Sequence, residues 1–255
     1  MGRLFRIALV VVVLGLVGIV PAQGADPNLI ENGSFEAGFV NGVGKGWTAF
    51  NNGGHCSYNF GPDDWKPVVW DGRASQLIAI RTDGVEGDRY AGISQAVKVQ
   101  PGTTYRLTIH GMVRSSDGSV AASGYGYRVQ WAVDYSGGTD WQKVAPEAWQ
   151  ELDWYEWPHL SSGYLETFST EIKATSSELV LFMRAWKKWP TADTLGEYNL
   201  DGISLVSTAE GGARPGSGGE LPPTGVALLM PAVAAVLAAV VLAARGLRAY
   251  RWRMW

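Results

Sequence analysis

The chain has 255 residues, with 24 acidic and 21 basic side chains, and its formal charge of −3 hides an uneven distribution. Six of the basic residues sit near the two ends, so the stretch between them carries 15 basic against 24 acidic groups, a formal −9. Such a surface argues against nucleic acid or anionic lipid as a partner, because both select for clustered Lys and Arg, and the single cysteine, Cys56, excludes an internal disulfide.

Arg3 and Arg6 precede an apolar stretch at residues 7–20 and a small-residue exit, Pro21-Ala22-Gln23-Gly24-Ala25. These are the three regions of a secretory signal peptide, so residues 1–25 are expected to be removed. An uncleaved N-terminal anchor is the alternative. Residues 26–206 are then long enough for one domain with its own core.

Within that domain, runs of alternating apolar and polar residues recur between Gly, Pro, Asn and Asp, the pattern of strands and turns. Tyr105, Leu107 and Ile109 alternate with Arg106, Thr108 and His110. Tyr127, Val129, Trp131 and Val133 alternate with Arg128, Gln130, Ala132 and Asp134, and Leu179, Leu181, Met183 and Ala185 with Val180, Phe182, Arg184 and Trp186. Further strands are predicted at 75–80, 92–99, 165–172 and 198–206. Seven or eight short strands favour an all-β sandwich of two antiparallel sheets. Residues 141–157, crowded with Trp, Glu and Asp, read as a long connection with a helical turn.

Three segments resemble carbohydrate-binding modules of the galactose-binding-like jelly-roll group. They are Asn28-Leu29-Ile30-Glu31-Asn32-Gly33-Ser34-Phe35-Glu36 followed by Gly46-Trp47, Gly92-Ile93-Ser94-Gln95-Ala96-Val97 with Pro101-Gly102-Thr103-Thr104-Tyr105, and Tyr198-Asn199-Leu200-Asp201-Gly202-Ile203-Ser204-Leu205. The resemblance implies a jelly roll that binds a polysaccharide or other glycan without catalysis. It also implies a structural calcium, with Glu36 and Asp201 at the matching positions, although Leu200 replaces an acidic residue often found there. A fold of this kind hosts many functions, so the ligand has to be argued from residues.

A sugar presents flat C–H faces ringed by hydroxyls, so its site needs exposed aromatic platforms beside planar polar groups. Outside the C-terminal tail the chain has tryptophans at 47, 65, 70, 131, 141, 149, 154, 157, 186 and 189, more than a core of this size requires. Trp131 shares a strand face with Val129 and Val133 and belongs to the core. Arg184 and Trp186 fall on the opposite face of their strand. If neighbouring strands present the same face, they stand near His110, Arg128 and Gln130. Trp65, Trp70 and Trp189 lie in loops and form a second candidate platform. Each of these rings could equally pack under a loop, and Arg184 could simply stack on Trp186 as a cation–π pair.

Catalysis has little support. The carboxylates Glu147, Glu151, Asp153 and Glu156 could form a glycosidase pair only through loop geometry, and His55, His110 and His159 show no metal-ligand spacing. A structural or adhesive domain that binds a protein partner, and a small glycoside hydrolase, are the competing readings.

Residues 207–220 have no apolar periodicity and read as a Gly-rich tether. Leu221-Pro222-Pro223-Thr224-Gly225 follows, then an apolar run at 226–244 and a tail with Arg245, Arg248, Arg251 and Arg253. The run spans about 28 Å as a helix, close to the thickness of a bilayer core, and the arginines hold the tail in the cytoplasm. The order resembles the LPXTG sorting signal of sortase substrates, carried by Leu221, Pro222, Thr224 and Gly225. That resemblance implies cleavage between Thr224 and Gly225 and display on the cell surface, with a sortase as partner. A permanent membrane anchor is the alternative.

Overall fold

The computed structural model describes residues 27–84 and 86–208, and there the alternating runs become strands. In chain order these are β1 (Phe39–Val40), β2 (Val43–Gly44), β3 (Thr48–Asn51), β4 (Cys56–Asp63), β5 (Ser75–Thr82), β6 (Arg89–Lys98), β7 (Thr104–Ser115), β8 (Tyr127–Asp134), β9 (Gln150–Glu151), β10 (Glu156–Pro158), β11 (Glu166–Lys173), β12 (Glu178–Lys187) and β13 (Leu195–Ser207). A five-stranded sheet has the order β3-β6-β12-β8-β9. A six-stranded sheet runs β4-β5-β13-β7, with β10 and β11 following one another along the far edge of β7. β1 and β2 form a separate small hairpin.

The core lies between the two large sheets. Ile93, Val129, Trp131, Leu181 and Met183 come from the five-stranded sheet and Ile78, Leu107, Ile109, Tyr198 and Leu205 from the six-stranded one; all belong to a single buried cluster. Each aliphatic side chain removed from water there contributes about 1.5–3 kcal/mol. The period of two is what sends Leu179, Leu181, Met183 and Ala185 of β12 inward and leaves Arg184 and Trp186 outward.

Three features depart from the sequence expectation. The six-stranded sheet is not wholly antiparallel, because β10 runs parallel to β7 with Trp157 opposite Arg114. β4 is not among the strands expected from the sequence; it forms the edge of its sheet, where the missing N–H of Pro62 is tolerated. Residues 141–157 supply two short strands, β9 and β10, and two 3-10 turns, Trp141–Lys143 and Pro146–Ala148. The segments read as a signal peptide, as a sorting motif at Leu221, Pro222, Thr224 and Gly225 and as an apolar run lie outside the described residues, as does the tether read at 207–220 except for Ser207, which ends β13, and Thr208. Among the described residues no helix is long and apolar enough to cross a membrane.

Candidate functional site

The outer face of the five-stranded sheet carries a cleft of about 350 Å³. On the same face Gly92 lies opposite Phe50 of β3 and opposite Arg184 of β12, and Arg184 lines the cleft. A Cβ at Gly92 would fall under 3.0 Å from both the Met183 carbonyl oxygen and Phe50 Cζ, so the missing side chain is what lets the Phe50 ring lie across the sheet. Phe50 packs edge-on to Phe182 and stacks on Trp141 with centroids 5.1 Å apart.

The walls come from the connection between β8 and β9. Asp140 accepts a hydrogen bond from the Gln142 backbone N–H, capping the first 3-10 turn, and Pro146 opens the second with its fixed φ. Trp141 and Trp149 stand at the ends of these turns. Trp149 packs on Phe182 with centroids 6.1 Å apart, and Tyr90 of β6 lies 6.0 Å from Trp141 and 5.9 Å from Trp186.

Arg184 is the polar centre. Its Cζ lies 3.7 Å from the Trp149 ring centroid, 4.3 Å from that of Tyr90 and 5.9 Å from that of Trp141. Its Nε donates to Gln130 Oε1 at 2.7 Å, across the register pair Arg184–Gln130. Burial among these rings lowers the guanidinium pKa to about 10, and burial also raises the Tyr90 hydroxyl. Trp186 borders the same face and donates from Nε1 to Asp88 Oδ1 at 2.9 Å. The arrangement offers aromatic surface and in-plane donors within one hollow. A larger hollow of about 660 Å³ lies beside it, between Val133 and Ala148, but no aromatic ring lines it and it has no stacking platform.

The structure therefore brings together Arg184, Trp186 and Gln130. Arg128 lies opposite Trp186 but is otherwise engaged: Nη1 donates to the Trp154 carbonyl at 3.0 Å, Nε lies 3.2 Å from Glu151, and its plane covers Tyr125. His110 does not join them, because β7 belongs to the other sheet. There it stacks on Trp70 with centroids 3.7 Å apart, and its Nδ1 is 2.8 Å from Thr167 Oγ1. Trp65 lies over Arg114, which contacts Asp63 at 3.4 Å and Glu197 at 3.0 Å. Trp189 donates from Nε1 to the Gly124 carbonyl and lies under Lys188. The three loop tryptophans thus do not share one platform with the cleft, although Trp70 keeps 56% of its surface exposed.

Tyr90, Trp141 and Trp149 were not singled out from the sequence. Two signals point to the tryptophans: Val180 and Phe182 on the outward face of β12 need a cover, and the 141–157 segment is rich in indoles.

Glu36 and Asp201 both grip the loop at residues 70–74. Glu36 Oε1 accepts from the Arg73 and Ala74 backbone N–H groups, which hold its pKa down. Asp201 accepts from the N–H groups of Trp70, Asp71 and Gly202, and burial outweighs them, raising its pKa to about 6. Among the described residues no group of three or more His, Cys, Asp or Glu side chains is placed to hold a metal. The acidic run of the 141–157 segment is dispersed in role: Glu151 pairs with Arg128, while Glu156 is fully buried and accepts from the Ser115 and Ser123 hydroxyls.

The sequence matches no protein-family model and no curated protein. Solved structures similar to it include TmCBM61 in complex with β-1,4-galactotriose, at 14% identity and a TM-score of 0.43 over 71% of this chain and 99% of that one. The N-terminal cellulose-binding domain of Cellulomonas fimi β-1,4-glucanase C matches at 16% and 0.37 over 72% of this chain and 99% of that one. An arabinose-bound α-L-arabinofuranosidase, MgGH51, matches at 12% and 0.43 over 72% of this chain but 27% of that one. Identities this low, with TM-scores below 0.5, leave the functional reading to the cleft itself.

Proposed function

We propose that the domain binds carbohydrate without catalysis, in the cleft on the outer face of the five-stranded sheet. The observation that carries this is Arg184, half-buried over Trp149 and Tyr90 with Trp141 beside it. Indole and phenol faces match the C–H face of a sugar ring, and a guanidinium held in place by Gln130 meets its oxygen atoms without further ordering cost. A glycan-array screen of the full chain beside its Trp149→Ala variant tests it. Binding to a defined polysaccharide that is lost in a folded variant is the expected result. Silence across the array from a folded wild-type chain would overturn the proposal.

Display on the cell surface belongs to the same proposal, supported by the signal-like residues 1–25 and by the order of motif, apolar run and arginines at 221–255. Mass spectrometry of the mature protein tests it. A C-terminus at Thr224 joined to a surface acceptor supports sorting, and an intact Trp255 supports a retained anchor. A calcium ion at Glu36 and Asp201 is a separate proposal. It faces competition from the N–H groups these carboxylates already accept, and a melting temperature unchanged by calcium or a chelator would end it.

A further inference from the structure

Seven arginines lie among the described residues, and six of them contact a carboxylate: Arg73, Arg81, Arg89, Arg106, Arg114 and Arg128. Arg184 is the exception. Its charge sits in the cleft with no acidic residue among the lining side chains, on a chain where acidic groups outnumber basic ones. Asp88, which favours the charged form of Arg184 from a distance, already accepts the Trp186 indole N–H.

The contacts of the guanidinium also define which side of it is free. Aromatic rings lie against its flat surface, and the Nε edge is taken by Gln130. The edge bearing Nη1 and Nη2 has no hydrogen-bond acceptor among the described residues. Two parallel N–H groups at the border of a stacking platform match the two oxygens of a planar carboxylate, which would both satisfy the donors and neutralise a charge that burial already disfavours.

Resting on the reading that the cleft holds a glycan, we infer that it selects glycans whose sugar units carry a carboxylate, that is, uronic acids, with Arg184 as the fork that binds the carboxylate. The acidic character of the rest of the domain does not oppose this at short range, since charges more than about 8 Å away are largely screened at physiological salt.

The test is calorimetric titration of the full chain with three uronic acid oligosaccharides, an oligogalacturonate, an oligoguluronate and an oligosaccharide built on glucuronate, each beside its methyl ester and its carboxyl-reduced form. At least one acid form is expected to bind, and its ester and reduced form to bind about ten- to a hundredfold more weakly, the scale of a charge-assisted hydrogen-bond pair. Arg184→Lys, which keeps the charge and loses the fork, should narrow the gap in affinity between the acid form and its ester, and an unchanged gap would overturn the role of the fork. Equal affinity for acid, ester and reduced forms, or binding of neutral glycans alone, would overturn uronate selection while leaving the carbohydrate reading intact. Failure of every acidic and neutral glycan would overturn both. Because the comparison of ligand forms needs no mutation, it stands even if the Arg184 variant does not fold.

Discussion

Gly92→Ala tests the packing of Phe50 beneath Trp141, one of the rings that line the cleft. The added methyl would fall under 3.0 Å from Met183 O and from Phe50 Cζ. The carbonyl belongs to β12, whose pairing with β6 runs unbroken from Glu178–Lys98 to Lys187–Arg89, so it cannot withdraw without breaking the ladder. Phe50 must move as well, and moving it gives up its stack on Trp141 and its edge contact with Phe182. Overpacking costs about 1–3 kcal/mol and each of the two aromatic contacts about 0.5–1.5 kcal/mol, so a loss of roughly 2–6 kcal/mol is expected. For a domain of this size that is a fall of roughly 5–25 °C in melting temperature. Gly61→Ala is the matched control, since a Cβ there meets nothing within 4 Å and the backbone is not in the left-handed region. Thermal melts followed by near-UV circular dichroism would report both the stability and the altered setting of Trp141. If Gly92→Ala melts within a degree of Gly61→Ala, Phe50 does not lie across the sheet at this point, and the support it gives Trp141 falls too.

Trp149→Ala should weaken binding of any glycan found on the array by about 30-fold or more, the effect of losing a central aromatic anchor of about 2 kcal/mol, whereas Trp70→Ala on the other sheet should change it less than threefold; the reverse pattern by titration would move the site to the six-stranded sheet. Stability should depend on pH through Asp201. Its native pKa of about 6 lies above the unfolded value near 3.9, so it stabilises the fold fully below about pH 4, and that contribution, on the order of 3 kcal/mol, is lost as pH rises through about 6. Asp201→Asn should flatten that part of the profile in denaturant titrations, and an unchanged slope would refute the assignment. Glu156→Gln should lower stability by about 1–3 kcal/mol by placing an amide N–H₂ group against the Ser115 and Ser123 hydroxyls in a buried pocket; a melt matching wild type would show that the pocket takes the amide without cost.

The strands were legible because alternation is local: Leu179, Leu181, Met183 and Ala185 declare the buried face of β12 whatever sheet it joins. Which strands become neighbours is not local. Arg184, Trp186 and Gln130 were grouped correctly because β8 does pair with β12, and His110 was grouped with them wrongly because the same outward parity, on β7, points away from the opposite sheet. Glu36 and Asp201 are calcium candidates only through the resemblance, and the sequence does not reveal that backbone N–H groups from 70–74 and 202 would occupy them. The cleft walls needed a fold-back over the sheet, which leaves no periodicity to read. What it does leave is a mismatch. Val180 and Phe182 place apolar surface on a face that Arg184 and Gln130 mark as polar, and exposed together these would be costly. The connection carrying Trp141 and Trp149 resolves the mismatch by covering Phe182 with one indole and Phe50 with the other. Because the cover stops at Arg184, the border between covered and open sheet has aromatic faces on one side and an unpaired guanidinium edge on the other, and the need to bury Phe182 is therefore what creates the site.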